Sequence, residues 1–109
     1  MKHIFLFNGE AKTGKTTLAR ITNADETTVV IHELAIENKR GFAEQINDVL
    51  KTAESYNDKC QNIIIDCTEI TAKIFKVVYN DDKKLQERYR LSILNFERVG
   101  DVKWILSKR

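Results

Sequence analysis

The sequence predicts an α/β protein, a short parallel sheet of about four strands sandwiched between helices in three layers. Three observations carry that expectation. Short apolar runs alternate along the chain with segments whose apolar residues recur at helical spacing. The runs are continuous rather than alternating, as strands covered on both faces are. Strand-like and helix-like segments also follow one another in turn, the order that builds parallel βαβ units with right-handed crossovers.

Taken in order, Ile4 to Phe7 is the first apolar run and the expected central strand. A glycine-bounded loop follows, then a short helix from about Lys15 to Ile21. Thr27 to Leu34 is rich in β-branched residues, which suit a pleated surface, and reads as the second strand. Phe42, Ile46, Val49, Leu50 and Ala53 share one face of a helix from Lys39 to Tyr56. Ile63, Ile64 and Ile65 make the third strand, Gln61 to Cys67. Ile70, Ile74, Val77 and Val78 mark another helix. Asp81 or Asp82 can cap a further one, whose face is Leu85, Tyr89, Ile93 and Phe96. Gly100-Asp101 is a turn, and Val102 to Leu106 is the last strand. A sheet this small leaves an open edge, so a second copy or a larger complex is an expected partner.

The chain has 109 residues, room for a single domain spanning 1–109. Eighteen basic and sixteen acidic side chains leave a net charge of +2. That balance gives no reason to expect nucleic acid or a membrane as partner by long-range attraction. Proline is absent, and no linker, repeat or low-complexity stretch divides the chain. The N-terminal apolar run is too short for a signal peptide or a membrane span, and the expected location is the cytoplasm. Cys60 and Cys67 form no CxxC pair and sit near no histidine at ligand spacing, so both are expected to be reduced thiols. His3 and His32 each fall in a strand and are read as structural or surface residues.

The chemistry is concentrated in Gly9-Glu10-Ala11-Lys12-Thr13-Gly14-Lys15-Thr16, which fits GxxxxGK[ST] at every fixed position. Gly9 and Gly14 let the backbone turn and approach phosphate oxygens with no Cβ in the way. The loop amides can then converge as an anion nest at the start of a helix. Lys15 supplies a mobile charge for the β and γ phosphates, and the Thr16 hydroxyl is suited to coordinate Mg²⁺. Thr17 follows in the same nucleotide-binding set.

With this loop and the strand Ile63-Ile64-Ile65-Asp66, the chain resembles the P-loop NTPase superfamily. The resemblance implies the P-loop NTPase fold, binding of ATP or GTP with Mg²⁺, and hydrolysis, with Lys15 serving catalysis. It implies that Asp66, at the end of a Walker B-like strand, is a second magnesium residue. The family's catalytic carboxylate often follows that aspartate directly, and here the position holds Cys67. Glu69 is the nearest carboxylate, read either as the catalytic group or as a cap for the helix near Ile70. Ser107 loosely resembles a γ-phosphate sensor at a strand end. Arg109 is suited to act as an arginine finger in a neighbour's site or to be a basic tail. Lys83, Lys84, Arg88 and Arg90 are read as a solvated helix face or as a phosphate-clamping lid. No Asn-Lys-x-Asp segment is present, which favours ATP over GTP. Three functions follow: an ATPase, a nucleotide-binding regulatory module with little turnover, and a small-molecule phosphotransferase.

Overall fold

The apolar runs become strands of one sheet. The computed structural model describes residues 1–8, 20–34, 36, 41–99 and 103–107; for Asn8, Glu33, 95–99 and 103–107 it describes the backbone alone. The strands are β1 (Lys2–Asn8), β2 (Arg20–Asp25), β3 (Thr28–Leu34), β4 (Asn62–Cys67), β5 (Tyr89–Val99) and β6 (Lys103–Ser107). The helices are α1 (Phe42–Tyr56), α2 (Glu69–Asp81) and α3 (Lys83–Arg88). The sheet order is β2-β3-β4-β1-β5-β6. β3, β4, β1 and β5 are mutually parallel, while β2 and β6 add antiparallel edges. Three of the expected strands, β1, β3 and β4, thus lie in the parallel middle of a larger mixed sheet, completed by β5, which the sequence read as helix.

Burial alternates strictly along the central strands. Ile4 and Leu6 of β1, Val29 and Ile31 of β3, and Ile63 and Ile65 of β4 have no exposed surface. They form one core with Ile46, Leu50 and Ala53 of α1, Ala72 and Phe75 of α2, and Leu85 of α3. Each Val, Leu, Ile or Phe among them contributes roughly 1.5–3 kcal/mol on leaving water. The intervening residues Phe5, Phe7, Val30 and Ile64 point to the other face and stay half-buried. All three helices therefore share one face, and the described residues make two layers rather than the expected three. The reason lies in the strand order. The connections β3–α1–β4 and β4–α2–α3–β5 both step the same way along the sheet, so right-handed crossovers lay their helices on the same side.

Three local expectations change. Arg20 and Ile21, expected to end a helix, open β2, where they pair with His32 and Ile31. The helix capped by Asp82 stops at Arg88, and Tyr89, Ile93 and Phe96 belong to β5 instead. Residues four apart fall on one face of a helix and also on one face of a strand, so Leu85, Tyr89 and Ile93 fitted either period. The last strand runs antiparallel to β5 rather than parallel. Elsewhere among the described residues the elements match, and the predicted turn at Gly100-Asp101 lies outside them. The Thr68 hydroxyl caps α2 by accepting from the Thr71 amide at 3.2 Å. Asp82 caps α3 by accepting from the Lys84 and Leu85 amides at 3.0 and 3.2 Å.

Candidate functional site

The carboxyl ends of the parallel strands meet along one edge of the sheet. Asn8, Cys67 and Leu34 form its last row, with Asn8 beside Cys67 and Cys67 beside Leu34. One row in, Phe7 pairs with Asp66. Asp66 lies between the buried Ile65 and Cys67 and is itself exposed. Strand alternation therefore sends its carboxylate to the face without described helices. Ligands of open α/β sheets gather at such edges.

Across from Asp66 the ladder is irregular. Ile31 pairs with Ile65 and Leu34 with Cys67, so His32 and Glu33 together oppose the single Asp66. This is a β-bulge, a device that bends a strand and re-aims its side chains. His32 pairs in turn with Arg20 of β2, and its Nε2 lies 2.9 Å from the Thr22 hydroxyl. Arg20, His32, Asp66 and Phe7 thus stand on four consecutive strands, roughly 4.8 Å apart from one strand to the next. The sequence read His32 as a structural or surface residue, and only the pairing of β3 with β4 sets it opposite Asp66.

The predicted phosphate-binding residues Gly9, Glu10, Ala11, Lys12, Thr13, Gly14, Lys15, Thr16 and Thr17 lie outside the described residues, as does Arg109. Their anchors are described. Residues 9–19 leave β1 at Asn8 and enter β2 at Arg20, and both anchors belong to the same edge of the sheet.

Glu69 is the first residue of α2 and is not its cap, a role Thr68 fills. Its carboxylate pairs with Lys73 at 3.5 Å across one helical turn, exposed to solvent. Asp66 and α2 belong to opposite faces of β4, so Glu69 enters from the helix side. Cys67 is buried, and burial followed by the charge of Asp66 pushes its thiol up to about 12. At neutral pH it is a protonated, apolar side chain with no acid–base role. Lys83, Lys84 and Arg88 sit on α3, which leads into Tyr89 beside Lys2 at the amino end of β1. That is the far end of the sheet from Asp66, so they form no lid over it; Arg90 lies on β5 beside His3. By backbone register Ser107 pairs with Asn95, itself beside Asn8, which sets the last residue of β6 level with the carboxyl edge.

Among the described residues no three His, Cys, Asp or Glu side chains gather as a metal cage. No described helix is long and apolar enough to cross a membrane. Comparison with protein-family models, with curated proteins and with solved structures gave no match.

Proposed function

We propose that the chain binds a nucleoside triphosphate, ATP in preference to GTP, and hydrolyses it with Mg²⁺ as a small P-loop NTPase. One observation carries the reading. The sequence Gly9 to Thr16 begins directly after β1, at the edge where Asp66 stands on the adjacent parallel strand. In this reading the loop amides and Lys15 hold the phosphates.

Mg²⁺ prefers oxygen ligands, commonly one or two carboxylates completed by phosphate and water, and an exposed Asp66 with the Thr16 hydroxyl fits that donor set. When bound, the ion neutralises charge on the β and γ oxygens. Hydrolysis passes the γ-phosphoryl group to water and yields ADP, orthophosphate and a proton. Glu69 is the carboxylate proposed to orient that water, though its partner Lys73 and its approach from the helix side favour slow turnover. This is the observation behind a second reading, a nucleotide-binding regulatory module with little hydrolysis. The phosphotransferase reading loses its support with the basic helix at the wrong end of the sheet.

The test measures nucleotide affinity and phosphate release together. Lys15→Ala should lower ATP affinity at least about tenfold, near 1.4 kcal/mol, and leave the unfolding temperature without nucleotide in place. Asp66→Asn should weaken binding in Mg²⁺ more than in EDTA, because it acts through the metal. Unchanged ATP affinity in Lys15→Ala would defeat the reading. Tight binding with no phosphate release would favour the regulatory module.

A further inference from the structure

Thr22 and His32 belong to no role read from the sequence, yet their ring-to-hydroxyl contact of 2.9 Å is built on two adjacent strands at the edge of Asp66. Three features set them apart from a surface pair. The β3 bulge falls at the row of Asp66 and nowhere else along that ladder. His32 is half-buried, with a neighbour on each flank: Arg20 and Thr22 on β2, Asp66 on β4. Residues 9–19 also join β1 to β2 from the two ends of this row, so Asp66 and His32 lie between the anchors of the phosphate-loop sequence.

The chemistry follows from the hydrogen bond. If the Thr22 hydroxyl donates to Nε2, the ring proton sits on Nδ1, and that nitrogen is the donor the imidazole offers a ligand. A donor one strand from a magnesium-binding carboxylate suits the terminal oxygens of a polyphosphate, which carry the most charge. Arg20, exposed on the next strand, adds a positive charge on the same side.

We infer that His32, oriented by Thr22, recognises the γ-phosphate and makes this site distinguish a nucleoside triphosphate from a diphosphate. The inference rests on the nucleotide-binding reading above and adds to it a residue on β3 that the phosphate-loop motif does not contain. His32 is the contacting group, and Thr22 is a positioning residue that acts through it.

The experiment compares ATP and ADP affinities, by fluorescent-nucleotide displacement with Mg²⁺, in the parent chain and in three variants. His32→Ala should lower ATP affinity about tenfold, a hydrogen bond to a charged oxygen, and leave ADP affinity within about twofold. His32→Asn, which keeps a donor, should recover part of the ATP preference. Thr22→Val, which keeps the shape and loses the hydroxyl, should fall between His32→Ala and the parent. In the parent, the imidazole ¹⁵N resonances of His32, one of two histidines, should shift with a non-hydrolysable ATP analogue and not with ADP. That readout needs no folded variant. If the parent binds both nucleotides but the ATP-to-ADP ratio survives His32→Ala, or the resonances respond alike to both, this inference falls and the nucleotide site stands. If the parent binds neither nucleotide, the nucleotide reading falls and takes the inference with it.

Discussion

Glu54 of α1 accepts from three groups at once: Lys2 Nζ at 2.5 Å, the Tyr89 hydroxyl at 2.7 Å and Arg88 at 3.1 Å. The Arg88 guanidinium also lies over the Tyr89 ring, 5.1 Å from its centre. Burial pushes the Glu54 carboxyl up, but the hydrogen bonds from Lys2 and Tyr89 and the charges of Lys2 and Arg88 outweigh it. The net shift is downward from the ordinary 4.5. A carboxylate held below its unfolded value stabilises the fold fully above that value, and the contribution disappears as pH falls through the folded value. Glu54→Gln should therefore cost roughly 1–3 kcal/mol near neutral pH, and progressively less below about pH 4.5. Urea unfolding of both chains at pH 7 and pH 3.5 checks this; a gap of equal size at both would refute it. Residues of this kind were only partly legible in the sequence. The place of Asp66 near the end of a strand could be read because it follows a run of isoleucines. The Glu54 cluster and the His32 neighbourhood could not, since each depends on which strands become neighbours.

The start of α3 was legible because capping chemistry is local and Asp82 was one of two caps on offer, whereas Thr68, not Glu69, caps α2. Thr68 and Asp82 each lose a cap on replacement by Ala, and either change should cost about 1 kcal/mol in thermal or denaturant unfolding. Thr68→Ser should behave like the parent; a Thr68→Ala chain as stable as the parent would show that α2 needs no side-chain cap. The α3–β5 boundary was not legible. Apolar positions four apart satisfied both periods, and only the run of Tyr, Leu, Ile, Phe and Val past Arg88, all strand-favouring beyond the leucine, argued for extension. β2 was missed for a different reason. Its exposed sequence Arg-Ile-Thr-Asn-Ala-Asp carries little apolar signal, and its pairing is set by the turn at Glu26-Thr27, where Asp25 accepts from the Thr27 amide at 2.8 Å.

For the whole molecule, three of the four parallel strands and the inner place of the first followed from the sequence, whereas β5 and the one-sided placement of helices did not. Strand order is settled by contacts between distant segments, so no window of the chain contains it. The core is a single cluster joining all three helices to the sheet, so ligand binding at the carboxyl edge should act on one cooperative transition. With Mg²⁺ and ATP at about a hundred times the dissociation constant, linkage contributes about 2.7 kcal/mol, a rise of roughly 10 °C in a domain of this size. Thermal melts with ATP, ADP and no nucleotide read this directly. An ATP melt that overlays the nucleotide-free one at that excess would speak against a site in the folded chain.

The position of β1 has a consequence for how the protein is made. β1 is made before both of its partners, β4 on one side and β5 on the other, and His3 meets Ser92 at 2.7 Å across 89 residues of chain. Contacts of such long range slow folding, because chain closure must precede any reward from pairing. Throughout synthesis Ile4 to Phe7 is an apolar segment with both edges open, the state in which a strand recruits another chain. Lys2 stands just before it, where charge at the flank of a sticky segment discourages such recruitment. Late arrival of β5 therefore makes the nascent chain, more than the finished protein, the form that a chaperone has reason to hold.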